Sequence, residues 1–180
     1  ASHTDEHSLY HDFISKLQSR WEVEDEGELT DLLNVEFTFG DDHVKLSQTA
    51  YIEKMVSNYL PDGIPLSGKH CSLPCDESLP RHAVDALSQD AASVDPALLK
   101  QYQSLVGALL YCATQTRPDV AFAVGYLCRA MGKPTSAMLA EAVRVLCYLH
   151  RTRHLGLTFT PDQRDVEGYS DSDWGVKHST

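Results

Sequence analysis

The chain has 180 residues, an apolar fraction of 42% and a formal net charge of −11. That is enough for one ordinary domain or two small ones, with a globular rather than disordered composition. The charge argues against a free-standing nucleic-acid binder. No stretch approaches the ~20 apolar residues of a membrane span, and no signal peptide opens the chain.

The charge is unevenly spread. Residues 1–100 hold 19 acidic and 7 basic residues, a net of −12, whereas residues 101–180 hold 7 and 8, a net of +1. Any contact with a polyanion therefore belongs to the second half. The five cysteines, Cys71, Cys75, Cys112, Cys128 and Cys147, are odd in number and fall mostly within apolar helical patterns. They read as reduced intracellular thiols.

In chain order, residues 5–21 read as a helix, with Leu9, Phe13, Leu17 and Trp21 recurring every four residues and Ile14 beside them. An acidic run, residues 22–28, reads as a solvated turn. In VEFTFGDDHVKLS, Val35, Phe37 and Phe39 alternate with polar residues, Gly40-Asp41-Asp42 turns, and Val44 and Leu46 alternate again, which predicts a β-hairpin. Ser47 is placed to cap a helix with Ile52, Met55, Val56 and Tyr59 on one face.

Residues 61–80 carry four of the eight prolines and read as a linker or extended crossing. After an acidic, Ala-rich segment, three helices are predicted over 98–153. The first buries Leu98, Tyr102, Leu105, Val106, Leu109 and Leu110. Pro118 opens the second, with Val120, Val124 and Leu127. Pro134 opens the third, with Met138, Ala142, Val145, Leu146 and Leu149. Leu155 to Thr160 reads as a strand, residues 161–164 as a turn, and Val166 to Asp171 as a second strand.

Few residue groups suggest chemistry. Asp41 and Asp42 on a hairpin turn suit either a divalent metal or simply a turn, and the turn reading is favoured because Asp and Gly are turn residues and no neighbouring strand offers another carboxylate. His3, His7 and His11 fall at i, i+4 and i+8, a zinc-compatible stack or an exposed polar face. His70, Cys71 and Cys75 lack a second ligand pair. Asp171 stands in the middle of a strand flanked by Tyr169 and Trp174. A carboxylate there is either exposed or paired with a cation.

The stretches LSQTAYIEKM, YQSLVGALLYCATQTRPDVAFAVGYLCRAM, AVRVLCYLHRT with HLGLTF, and GYSDSDWG, in this order and spacing, resemble the polymerase region of copia-type retrotransposon polyproteins. The resemblance runs from about Phe13 to Thr180. It implies an α+β fold in four parts: the end of a polymerase palm with a primer-holding hairpin over 1–60, a Pro-rich linker over 61–97, a three-helix thumb over 98–154, and over 155–180 a β-hairpin that begins a ribonuclease H sheet. Gln103 and Gly107 match the thumb helix that lies along the duplex minor groove. Gly107 would there admit close approach of sugar and phosphate, the other reading being close helix–helix packing. If the helices are a thumb, the cations available for an RNA–DNA duplex or primed RNA template are Lys100, Arg117, Arg129, Lys133, Arg144, Arg151 and Arg153.

Asp171 matches the first of the four carboxylates that hold two Mg²⁺ ions in the ribonuclease H domain. The resemblance places the polymerase aspartates before Ala1 and the remaining ribonuclease H carboxylates beyond Thr180. The expectation is thus a fragment of an RNA-directed DNA polymerase with ribonuclease H that binds template–primer but holds neither complete active site. It would work with the rest of its polyprotein inside the cell, in a cytoplasmic particle or the nucleus, and not at a membrane. The alternative is a non-catalytic remnant serving as a scaffold or interaction domain. Two residues depart from the family pattern, Asn34 and Arg151, each replacing a usual glycine.

Overall fold

The structure is a computed structural model that describes residues 3–25, 27–65, 71–90, 94–161 and 168. Five helices build one core. These are α2 (Thr49–Tyr59), α3 (Ser78–Ser88), α4 (Pro96–Gln115), α5 (Ala121–Arg129) and α6 (Ser136–Arg151). Buried side chains from all five meet in a single cluster that includes Ile52 and Met55, Leu79 and Ala83, Tyr102, Leu105 and Leu109, Val124 and Leu127, and Leu146 and Leu149. Removing this apolar surface from water is the main stabilising term.

The helix ends are set locally. Asp95 accepts the Ala97 N–H, with Pro96 in the first turn of α4, and Thr135 accepts the Met138 N–H at the start of α6. Each satisfies a donor that the helix itself leaves open. Pro118 opens a short 3-10 turn, Pro118–Val120, from which α5 departs.

Four antiparallel strands lie in the order β1-β2-β3-β4: β1 (Asp31–Leu32), β2 (Val35–Phe39), β3 (Val44–Ser47) and β4 (Leu157–Phe159). The hairpin pairs Phe37 with Leu46 and Phe39 with Val44. Leu33 and Asn34 form the two-residue β1–β2 turn, with φ of 53° and 61°. A turn with positive φ at both central positions matches strand twist. Asn34 tolerates this and Leu33 does not do so readily. The Tyr111 hydroxyl of α4 donates to the Leu33 carbonyl and holds the turn in place.

Three placements differ from the sequence reading. First, the stretch read as a linker over 61–97 contains α3, whose Leu79, Ala83 and Ala86 are buried against α5 and α6. Pro80 is compatible with this because it falls in the first turn, where no intrahelical N–H bond is lost. Second, the strand expected to begin a separate sheet at 155 pairs instead with β3, Val44 opposite Phe159 and Leu46 opposite Leu157. A boundary at 154/155 therefore runs through one sheet, as a boundary at 60/61 runs through one core. The second strand expected there, 166–171, lies outside the described residues. Third, none of the described side chains of α1 (His3–Gln18) belongs to the core cluster. Leu9, Phe13 and Trp21 are exposed, and Ile14 and Leu17 are half-buried.

The join between β3 and β4 depends on Gly156. A Cβ there would be driven into the Leu46 carbonyl. Backbone cannot yield as a flexible side chain can, so Gly156→Ala is expected to lower stability by about 2 kcal/mol. Urea unfolding should show a lower midpoint at unchanged slope. An unchanged midpoint would mean that β4 does not lie against β3 in solution.

Candidate nucleic-acid interface

Helix α4 divides into two stripes. Tyr102, Leu105, Val106, Leu109, Cys112 and Ala113 are buried. Lys100, Gln103, Ser104, Gly107, Leu110 and Thr114 are exposed and share the opposite side at spacings of three and four. The space beside Gly107 is open, with no described atom within 4 Å of where a Cβ would stand. Packing against the described residues therefore does not account for Gly107. The Gln103 side-chain amide donates to the Met131 carbonyl at 2.9 Å, and the Tyr102 hydroxyl donates to the Leu127 carbonyl at 2.8 Å. Together they fasten α4 to the C-terminal end of α5.

The seven expected cations differ in their surroundings. Lys100, Arg129 and Arg151 are exposed. Arg129 lies 4.2 Å from the Tyr126 ring centroid. Lys133 donates to the Gln89 carbonyl at 3.1 Å and reaches the Leu87 carbonyl, closing off the C-terminal end of α3. Arg144 pairs with Asp76, and Arg153 pairs with Glu53 at 3.0 Å.

Arg117 is the correction. It is 1% exposed and cannot reach a ligand at the surface. Its Nε and Nη2 donate to Asp119 at 2.9 and 2.7 Å, and its Nη1 and Nη2 donate to the Thr152 carbonyl and hydroxyl at 3.1 and 2.7 Å. Its guanidinium also stands 5.6 Å from the Tyr148 ring centroid. Burial alone would raise the Asp119 carboxyl, but the Arg117 hydrogen bonds and charge, with the Tyr148 hydroxyl, outweigh that and hold it below the usual carboxylate range.

The hairpin is tied to α2 by a carboxylate the sequence reading passed over. Ser47 does not cap α2; its hydroxyl donates to Glu36 Oε2 at 3.0 Å. Glu36 Oε1 accepts the Ala50 N–H at 2.7 Å, so the helix cap comes from β2. Burial pushes the Glu36 carboxyl up; the bonds from Ala50, Ser47 and Thr49 more than offset it and leave the carboxyl low.

Asp171 lies outside the described residues, as do Tyr169, Trp174 and His70. Asp41 and Asp42 are exposed in the hairpin turn, where Asp42 meets His43 Nδ1 at 3.0 Å. Among the described residues, no three His, Cys, Asp or Glu side chains converge as metal ligands, and no helix is long and apolar enough to cross a membrane.

Sequence reasoning also missed the outer side of α5. Phe122 is 64% exposed, its ring centroid is 5.0 Å from that of Tyr126, and Arg129 completes the strip. The signal was available: aromatic residues at i and i+4 on the side away from Val124 and Leu127.

The chain is 31% identical over 174 residues to an uncharacterized mitochondrial protein of Arabidopsis thaliana, covering 96% of this chain and 67% of that protein. It is 30% identical over 168 residues to the retrovirus-related Pol polyprotein from transposon RE1 of Arabidopsis thaliana, covering 93% of this chain and 11% of the polyprotein. It is also 30% identical over 139 residues to the corresponding polyprotein from transposon TNT 1-94 of Nicotiana tabacum, covering 71% and 9%. No family model and no solved structure matches. The relatives define a class, a region of retroelement Pol polyproteins. The chain belongs to the copia-type retrotransposon polyprotein family, and it spans only about a tenth of the full polyproteins it matches.

The Arg117–Asp119 pair yields a measurable consequence. Asp119→Asn strips the buried guanidinium of its counter-charge. Because Asp119 is 36% exposed, the cost is about 2 kcal/mol, below the roughly 3–5 of a fully buried pair. A carboxyl held low stabilises the fold above its ordinary titration range, and that contribution is lost as pH falls through its folded value. The gap between the two proteins in urea should be constant at neutral pH and close below about pH 4. A gap that widened on acidification would contradict the assignment.

Proposed function

We propose that this region supplies template–primer binding to an RNA-directed DNA polymerase with ribonuclease H, α4 to α6 serving as the thumb and the β2–β3 hairpin as the primer-holding element. The reading assigns duplex binding, not chemistry, to these residues. The observation that carries it is Gly107: a glycine in mid-helix, exposed, with open space beside it and Gln103 and Lys100 on the same stripe. In a helix interior glycine costs roughly 1 kcal/mol relative to alanine, and among the described residues no neighbouring element requires its small size. A sugar–phosphate backbone lying along α4 would.

In the parent polyprotein, Asp171 would be one of the carboxylates holding Mg²⁺, which when bound stabilises charge on the attacking and leaving oxygens of RNA cleavage. The five free thiols accord with a cytoplasmic particle or the nucleus. The second reading, a remnant serving as a scaffold, draws support from Arg117, Arg144 and Arg153, whose charges are matched within the fold.

Gly107→Ala separates the two readings by sign. A methyl in open space on a helix should raise stability by about 0.5–1 kcal/mol. On the duplex reading it should also weaken binding of a blunt RNA–DNA duplex severalfold, and Gly107→Leu more so, from a starting affinity in the roughly 10⁻⁴–10⁻⁶ M range of sequence-independent binders. Fluorescence anisotropy at low salt measures this. Affinity unchanged by both substitutions, or no binding by the unaltered chain, would favour the scaffold.

In the full-length parent, Asp171→Asn should reduce RNA cleavage on the order of a thousandfold and leave DNA synthesis nearly intact. Paired assays of primer extension and hybrid cleavage on one preparation decide it. Equal loss of both would mean that Asp171 supports folding.

A further inference from the structure

The outer strip of α5 has no part in the contacts just assigned to α4. Its inner side, Ala123, Val124 and Leu127, is buried. Its outer side presents Phe122, Gly125 and Arg129 to solvent, with Tyr126 half-buried between them. Phe122 and Tyr126 lie with centroids 5.0 Å apart and planes tilted by 54°, and the Arg129 guanidinium is 4.2 Å from the Tyr126 centroid. Arg129 is the one charged residue in α5. The acid just before the helix, Asp119, is engaged by Arg117 and Tyr148. A guanidinium held against a ring keeps its N–H edges for phosphate. An exposed phenyl ring beside it adds little to folding and offers a π-face to a flat partner.

The charge indicates which partner. The strip belongs to the half of the chain with net charge +1, against −12 for the rest. Its Arg129 end lies near the α4 stripe, because Gln103 of that stripe donates to the carbonyl of Met131, just past the end of α5. In a duplex, base faces are hidden in the stack; only an unpaired nucleotide offers one. Aromatic side chains interleaved with cations are how proteins hold unpaired strands without reading their sequence.

We propose that Phe122, Tyr126 and Arg129 of α5 form a stacking platform for an unpaired nucleotide adjoining the duplex, with Phe122 taking the base face and Arg129 an adjacent phosphate. Gly125 leaves room for the sugar between them. This rests on the duplex-binding reading of α4 and extends it to the single strand next to the duplex.

The test compares a labelled blunt RNA–DNA duplex with the same duplex carrying a short unpaired oligothymidine overhang, by anisotropy on the 180-residue chain. The overhang should tighten binding by the unaltered protein on the order of tenfold, the usual worth of one stacked base. Phe122→Leu, which keeps an apolar side chain but removes the π-face, should abolish that increment and leave blunt-duplex affinity unchanged. Phe122→Tyr should retain it. Arg129→Gln should lower the salt slope on the overhang substrate by ~1. Phe122 is largely exposed, so thermal unfolding of each variant should match the parent. If the overhang gives no increment, or if the increment survives Phe122→Leu, the platform is refuted while blunt-duplex binding sensitive to Gly107 leaves the α4 reading standing. If neither substrate binds, both readings fall. If sedimentation shows a dimer that Phe122→Leu dissociates, the strip is a contact between copies and the proposal is overturned.

Discussion

One buried cation holds the corner on which the fold turns. Arg117 stands between α4 and the 3-10 turn leading to α5, and bonds to Thr152 at the end of α6. It therefore fixes three helix ends at once, and it does so where the chain leaves α6 to become β4. Placing a guanidinium inside the protein is unfavourable unless its donors are satisfied. Here Asp119 takes the fork side-on through two bonds, and the Thr152 carbonyl and hydroxyl take two more. Planar, bidentate geometry is what Arg provides and Lys does not.

From that corner the sheet follows. The chain past Thr152 is pinned by Thr49 donating to the Arg153 carbonyl and Lys45 donating to the His154 carbonyl. Gly156 then permits backbone contact with Leu46. The hairpin is joined to the helices from the other side by Glu36, which caps α2, and by Tyr111, which holds the β1–β2 turn. The sheet has little buried core of its own; Val35 is its one buried apolar residue among those described. These polar attachments, more than packing, set its orientation on the helices.

What was legible in the sequence was what is local. The faces of α4 and α6, apart from Leu110, which is exposed, and the β2–β3 hairpin could be read from periodicity because the pattern that marks each lies within the element itself. The α3 helix was obscured because its buried face uses two alanines, Ala83 and Ala86, and its first turn holds a proline. The pairing of β4 with β3 joins residues more than 100 apart in the chain, and no periodicity encodes a distant partner. The burial of Arg117 was hidden for another reason. Arginine is ordinarily a surface residue, and only Asp119, two positions on, hinted that its charge was already matched. Of the candidate site, Gln103 and Gly107 were recognisable as part of a motif. The α5 strip was not, because attention to apolar faces favours the side that is buried.

The same attachments bear on function. Tyr111, which holds the Leu33 turn, lies one helical turn beyond Gly107 on α4. A nucleic-acid strand following the open stripe of α4 would therefore run toward the β1–β2 turn, at a separation fixed by one hydrogen bond rather than by a flexible tether. The hairpin and α4 are also connected through α2, whose Ile52 and Met55 lie in the same core as Leu105 and Leu109. In the duplex-binding reading, a strand gripped at the hairpin is held in register with α4 without any adjustment between separate bodies. The acidic first half then has a place in the argument. Sixteen of its acids precede Leu79, so its charge lies largely before α3 in the chain, outside the α4–α6 helices.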